Sequence, residues 1–477
     1  MGYTLNDVHS RLNATEVASI KRPTTLAALQ ETVKRARATG VNISTAGGRH
    51  AMGGQQFARG SMHIDMTFLD RVLATDAERG LLTIEAGADW PAIIAATHAM
   101  AHPPGRRWGI RQKQTGVDAV SLGGSISANA HGRGLLMQPI GDDIEDLTLI
   151  DSRGEIVLCS REQNAELFSL AVGGYGLFGV IHAATLRLAP RARLKRMVDI
   201  IDLDDAVTAV FRRASEGCTY GDFQFVIDTS DDSFLRRGVF ACYKPSATDD
   251  ADTAIGADLP TDAWLKLLKL AHDDKQAAFR LYAQHYLSTD GNHYWSDVMQ
   301  LSTYVPSYAE FLDGARGSEQ TRKNGNGIVK ETLVIGEHYV PRDQLLAFMQ
   351  QARAVLRRFG TEVIYGTIRA ILRDTTSWLP WARDDCACVI FNLRTEHSET
   401  GKQRTADTFR ALIDAGNALG GSFFLTYHRY ASAAQVEACY PGFRRWLQLK
   451  KVHDPDELFM STWYAHYRDA FAAATGK

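Results

Sequence analysis

Paired cysteine is what this 477-residue sequence most conspicuously lacks. Its six cysteines (Cys159, Cys218, Cys242, Cys386, Cys388 and Cys439) are spread along the chain. Only Cys386 and Cys388 are close, at C-x-C spacing, which is neither a C-x-x-C redox pair nor a zinc pattern. No disulfide framework is expected, and the expected compartment is reducing and cytoplasmic. No uncharged apolar run approaches ~20 residues, so no membrane span is expected. The opening MGYTLNDVHSRLN has no apolar core of a signal peptide, and Asn6 breaks the myristoylation pattern that Gly2 would begin. An excess of one charge is missing too. Lys plus Arg is 53 against 55 Asp plus Glu, a net charge of -2, which offers neither a nucleic-acid footprint nor a polybasic anchor. Repeats and long low-complexity stretches are absent. His98 and His102 are four apart, but Pro103-Pro104 follow and no third ligand is near, so no metal site is expected. The hydrophobic fraction of 45% and charged fraction of 23% suit a globular protein, and the length allows about two or three domains.

What the sequence does hold is glycine in clusters. Residues 44–56 read STAGGRHAMGGQQ, with Gly47-Gly48 and Gly53-Gly54 flanking His50. Glycine lets the backbone turn back and approach a ligand closely. Both a cofactor loop and a plain hairpin with a polar tip fit the stretch. A helix before it is predicted from Thr24 or Thr25, with Leu26, Leu29, Val33 and Ala36 on one face and Gly40 as its C-cap. Val41, Ile43 and Thr45 then alternate as a strand, and MHIDM (62–66) follows as another. Further on, a strand is expected at 81–86 and a helix from Asp89, with Pro91 in its first turn. The basic segment GRRWGIRQKQ (105–114) is expected to be solvated.

Residues 115–134 read TGVDAVSLGGSISANAHGRG. So many small residues fit either a nest of main-chain N–H groups around a pyrophosphate or a tight crossover between layers. DLTLIDSRGEIVL (146–158) reads as strand, turn, strand. Gly174-x-Gly176-x-x-Gly179 is a literal dinucleotide fingerprint. A helix precedes it and a strand follows, which is the reverse of the Rossmann order, so that reading is rejected. From Lys195 to about 430, strand-like pieces (223–227, 238–243, 331–335, 388–393) alternate with helices (264–271, 341–358). An antiparallel α+β unit is expected there. Residues 249–262 are expected as an acidic surface loop, and 314–327 as a mobile loop or lid. YPGFRRWLQLKKVHDPDELF, near the C-terminus, reads as an amphipathic helix stopped at Asp454-Pro455.

In this order and spacing, four stretches resemble flavin-dependent oxidoreductases of the vanillyl-alcohol-oxidase type. They are GGRH with MHIDMTFLDRV, SLGGSISANAHGRG, DSRGEIV through GGYGLFGVIHAATLRL, and YPGFRRWLQLKKVHDPDELF. Within that family the sequence is most similar to the aldonolactone, alditol and decaprenylphosphoryl-ribose oxidase branch. The resemblance implies an α+β protein with a split, PCMH-type FAD-binding domain: residues 1–193, with 434–477 folding back onto it. Residues 194–433 would form the substrate cap. It implies FAD contacts from Ala46, Gly47, Gly48, Arg49, His50 and Ala51, and from Thr115, Gly116 and Val117. Further contacts would come from Ser121, Leu122, Gly123, Gly124, Ser127, Ala128, Ala130, His131 and Gly132, and from Gly179, Val180 and Ile181. His50 is the candidate for a covalent tether to FAD. The cysteine that gives some members a second tether is absent from QTGVDAV.

The chemistry implied is hydride transfer from a CH–OH carbon to flavin N5 while a base takes the proton. The substrate would be a sugar, polyol or lactone. Arg369, in YGTIRAILRD, aligns with a cationic position of the branch, though a strand surface would also account for it. The lysine that relatives carry before the C-terminal helix is missing from GGSFFLTYHRY, which leaves Tyr427 or His428 as acid or base. His131 could touch flavin or substrate, or be structural. Ala130 stands near the position where glycine accompanies oxidases and alanine dehydrogenases, so a quinone, cytochrome or dye acceptor is expected over O₂. Two rivals stay open: an amine oxidiser of the cytokinin-dehydrogenase kind, which the GGQQ after His50 supports, and a flavin-binding redox subunit without a substrate.

Overall fold

A computed structural model describes residues 2–246, 259–302 and 330–475. The loop expected at 249–262 falls mostly outside these residues, and the one expected at 314–327 wholly outside.

The first helix, Leu26–Thr39, begins where the Thr25 hydroxyl accepts from Ala28 N at 3.1 Å. It stops at Gly40, whose φ of 66° a side chain would resist. Leu29, Val33 and Ala36 are its buried stripe. The chain then enters strand Ile43–Ala46, which pairs in parallel with Met62–Asp65, itself parallel to Ser19–Lys21. A second, antiparallel sheet has the order 156–160, 144–150, 180–187, 81–85, 72–76. Asp89 caps helix Trp90–Ala99 with Pro91 in its first turn. The GGYGLFG segment joins helix Ala165–Ala171 to strand Val180–Arg187, the inverted order that the sequence predicted.

A third sheet is much larger. Its eight antiparallel strands run in the order His293–Trp295, Arg193–Asp202, Arg237–Pro245, Tyr220–Phe225, Val363–Ile371, Cys386–Glu396, Glu331–Pro341, Ser422–Phe423. Alternation along a strand sends neighbouring residues to opposite faces. Val389, Phe391 and Phe240 pack in one core with Phe348, Ala352, Phe409 and Leu412 of helices Leu345–Phe359 and Glu399–Ala418. Val239 and Ala241 pack instead on Ala283 and Tyr286 of helix Lys275–Ser288.

The C-terminal segment returns to the beginning of the chain. Ile43 N donates to Leu458 O at 2.6 Å, and Met460 N donates to Ile43 O at 2.8 Å. Leu458 and Phe459 share a core with Leu29, Val33, Ile43 and Ile64. Helix Phe443–His453 buries Trp446 and Leu449, and its Lys450 is buried against Asp454. No helix among the described residues is long and apolar enough to cross a membrane.

One element here was not anticipated, and one expectation is corrected. The 115–134 stretch contains a short helix, Leu122–Ala128, capped by Ser121 and closed by Asn129 at φ 48°. Glycine and serine hide it, because both are poor helix formers and only packing of Leu122 and Ile126 makes it form. The basic segment 105–114 is not simply solvated. Lys113 is fully buried, its three donors taken by Asp118 Oδ1 (2.8 Å), Gln114 O (2.6 Å) and Val117 O (3.0 Å). Arg111 pairs with Asp142 and Asp143 at 2.7 Å each. His98 and His102 do not converge. His98 Nε2 meets Asp297 at 2.7 Å, and His102 Nδ1 accepts from Trp108 N.

Candidate active site

One cavity of about 390 Å³ connects the glycine loop of residues 45–51, the small-residue stretch and one face of the large sheet. The loop is shaped for close approach. Arg49 takes a positive φ of 58°. A Cβ on Gly47 would lie 2.0 Å from Ser121 Oγ, and one on Gly48 2.1 Å from Ala119 O. His50 Nδ1 stands 2.8 Å from His9 Nε2, and the ring also bonds the carbonyl of Ala119. Burial, with His9 beside it, pushes His50 down to about 3, so it is a neutral imidazole at physiological pH.

Most of the site residues anticipated from the sequence line this cavity. They are Ala46, Gly47, Gly48, Arg49, His50 and Ala51; Thr115, Gly116 and Val117; Ser121, Gly123, Gly124, Ser127, Ala128 and Ala130; Gly179, Val180 and Ile181; and Arg369 and Tyr427. Others lie off its wall. Leu122 is in the core with Leu82, Ile84 and Ile126. Gly132 sits against Gln112, whose Oε1 accepts its N–H at 3.2 Å. His428 is the clearest correction. It stacks on Phe409 at 4.4 Å on the helix-covered side of the sheet, and burial pushes it down to about 3. It is therefore not placed to move a proton in the cavity. His131 is buried one layer behind the wall and hydrogen-bonds a group on it.

That group, Glu337, is the residue that sequence reasoning missed. On the three neighbouring strands, Arg369 lies opposite Cys388, Cys388 opposite Tyr339, and Ile390 opposite Glu337. By alternation these side chains share one face. Glu337 is fully buried and lines the cavity. Its Oε1 accepts from the Tyr427 hydroxyl at 3.0 Å. Its Oε2 accepts from the Tyr339 hydroxyl at 2.7 Å and from His131 Nε2 at 2.9 Å. Burial alone would raise its pKa, but His131, the Tyr339 hydroxyl and Arg369 outweigh it and hold the carboxyl below its ordinary range. Burial and the adjacent carboxylate push Tyr427 well above 10, so it stays a phenol. Gln114 Nε2 donates to the Tyr427 oxygen at 3.2 Å. Arg369 Nη1 lies 3.5 Å from Gly132 O. His131, Glu337 and Cys388 offer ligand-type atoms within 4.8 Å of one another, but these atoms are already engaged with each other. The signal for Glu337 was present in ETLVIGEHYVP, where Leu333, Ile335, Glu337 and Tyr339 fall on one parity.

The wall also fits a polar, flat ligand. Gln56 Oε1, Gln114 Oε1, Thr115 Oγ1 and Arg369 Nε line it, buried and without a partner in the protein. Each such orphan costs ~1–3 kcal/mol unless an occupant bonds it. Beside them, the glycines leave room where any Cβ would clash. Fold and site are those of an FAD-dependent oxidoreductase with a PCMH-type FAD-binding domain. Residues 17–160 match the FAD binding domain family. Along nearly its whole length the chain is similar to the L-gulono-1,4-lactone dehydrogenase of Mycobacterium tuberculosis, at 24% identity over 448 residues, 93% of this chain and 94% of the relative. It is also similar to the L-gulonolactone oxidase of Bos taurus, at 31% over 175 residues, 36% of this chain and 38% of the relative. Likeness to cytokinin dehydrogenase 4 of Oryza sativa is 27% over 202 residues, 39% of this chain and 36% of the relative.

Proposed function

We propose that the enzyme oxidises a CH–OH carbon of a sugar-derived lactone or polyol, and that residues 1–193 with 434–477 hold the flavin while 194–433 hold the substrate. The observation that carries this reading is the convergence of Arg369, Tyr427 and Glu337 on the wall that also bears the glycine loop. Bound FAD supplies a two-electron acceptor that takes hydride at N5. The substrate hydroxyl gives its proton to the Tyr427 oxygen as the Tyr427 proton passes to Glu337 Oε1. The depressed pKa of Glu337 keeps that carboxylate in its accepting form at neutral pH. Arg369, with Nε unbonded, is a fixed cation for negative charge developing on the substrate oxygen. His131 and Tyr339 orient the carboxylate through Oε2.

Ala130 on the wall supports a quinone, cytochrome or dye acceptor in preference to O₂. The neutral His50 at the loop tip supports a covalent FAD tether. All six cysteines are free and buried, which suits a reducing, cytoplasmic setting. Glu337 also lends something to an amine-oxidising alternative, since a carboxylate at the site would suit an amine donor. The 93% coverage by the lactone dehydrogenase weighs against that alternative. Anaerobic flavin bleaching against L-gulono-1,4-lactone, L-galactono-1,4-lactone, polyols and amines tests the reading. Bleaching by amines alone would overturn it.

A further inference from the structure

The cavity is longer than the chemistry needs. It follows strand Val363–Ile371 from Arg369 at one end to Tyr365 and Ile364 at the other. Those five steps span ~16 Å at the usual strand rise. Ile364 and Tyr365 both face it because the register shifts between Val363 and Tyr365. The sheet wall stays polar as far as this end, where Asn392 lies opposite Tyr365 and Gln224 Nε2 donates to the Tyr365 hydroxyl at 3.1 Å; the apolar lining faces it from the helix side, beside Tyr282 and Tyr286. Trp264, Leu267 and Leu268 recur at helical spacing on Thr261–Asp273, and Phe279 comes from Lys275–Ser288. Ile227 and Ile364 come from the sheet side. Such a stripe on a helix ordinarily buries itself in a core; here it borders an open space continuous with Arg369 and Tyr427. Of the cations on this part of the wall, Arg196 is engaged and Arg133 faces a carboxylate but keeps its Nε unbonded. Arg196 bonds the Tyr243 hydroxyl and Thr289 Oγ1, and Arg133 stands 4.0 Å from Asp222.

A hydrophilic lactone or polyol, held at Arg369 and Tyr427, would leave the apolar helix side of this end, Leu267, Leu268 and Phe279, facing water. We propose that the cavity takes an amphiphilic substrate: a hydroxylated ring at Arg369, Glu337 and Tyr427, carrying an alkyl or aryl substituent that lies between Leu268 and Phe279 on one side and Ile364 on the other. This rests on the CH–OH reading above and narrows its substrate class.

The test uses the flavin-loaded enzyme and a series of γ-lactones that have no hydroxyl to oxidise: γ-butyrolactone, γ-hexalactone, γ-octalactone and γ-decalactone. Binding is read by calorimetry and by the flavin difference spectrum, without turnover. Each methylene that enters an apolar site should tighten Kd by about three- to fourfold. A Kd that does not change along the series overturns the proposal. Leu268→Gln should flatten the slope. Because the slope is read within one variant, a general loss of affinity does not imitate it, and if that variant folds poorly the wild-type slope decides alone. The two readings fail separately. Bleaching by hydrophilic lactones with a flat slope removes only the apolar subsite. A steep slope with no alcohol turned over removes only the reaction.

Discussion

Replacing Glu337 by glutamine deletes one buried negative charge while keeping the side chain's shape. The carboxylate accepts three hydrogen bonds, from Tyr427, Tyr339 and His131. A bond to a charged acceptor is worth ~1.5–3 kcal/mol and a neutral one ~0.5–1.5, so losing the charge costs about 1 kcal/mol per bond, ~3 kcal/mol in all, and the amide NH2 additionally replaces one of the two acceptor atoms with a donor. Denaturant unfolding of the flavin-loaded protein should show a loss of that order. The kinetic effect should be larger and specific. Without the carboxylate, Tyr427 has nowhere to pass its proton, and a positioned base contributes ~10²–10⁴ in rate. Anaerobic stopped-flow flavin reduction should therefore slow by about that factor with flavin content unchanged. The pH dependence carries a sign. Glu337 is depressed in the folded state, so its contribution to stability is present above the unfolded carboxyl value and is lost as pH falls through the lower folded value. The wild type should lose this stability in the acid range below the ordinary carboxyl pKa, and the glutamine variant should show a flatter acid limb. A flavin-replete Glu337→Gln enzyme reduced at the wild-type rate would refute the proton route.

Other expectations concern neighbouring parts of the site. Arg369→Ala should slow flavin reduction by ~10², and Arg369→Lys should recover only part of it because the planar guanidinium is lost; equal rates in all three proteins would take Arg369 out of the chemistry. Acid precipitation of the wild type should leave yellow colour in the pellet, and His50→Ala should move it to the supernatant; colour released from the wild type would end the covalent claim while leaving FAD binding intact. In air-saturated buffer the reduced enzyme should reoxidise slowly and Ala130→Gly faster, with anaerobic reduction nearly unaltered. Fast wild-type reoxidation with stoichiometric peroxide would reverse the acceptor assignment.

How much of this could be read from the chain differs from residue to residue. The helix ending at Gly40, the loop around His50 and the inverted GGYGLFG context announce themselves, because caps, glycine turns and strand alternation are local. Glu337 is legible by parity as an inward-facing residue, but its importance depends on His131 and Tyr427, which lie 206 and 90 residues away. Lys113 looks like one more charge in a basic run until Asp118 and two carbonyls close around it. Tyr427 and His428 could not be told apart because they follow Ser422–Phe423 in an irregular stretch, where no period says which side chain faces inward. The helix at Leu122–Ala128 was obscured because its residues favour helix weakly and packing alone decides.

The return of the C-terminal segment to Ile43 bears on when the enzyme acquires its cofactor. The strand that carries the chain into the His50 loop is flanked on one side by Leu458 and Met460, and Asn42 Nδ2 donates to Glu457 O across 415 residues of sequence. The loop itself is pinned by Thr462, whose hydroxyl donates to Gly54 O at 2.9 Å. Translation delivers these partners long after the strand, 415 residues on from Asn42 in the case of Glu457. During synthesis the early glycine loop exists without its eventual neighbours, and such distant pairings are slow to form even though closing a long loop costs little more than closing a short one. The loop that would receive the flavin therefore reaches its final shape only once residues 457–462 have joined it, however early the loop itself is made.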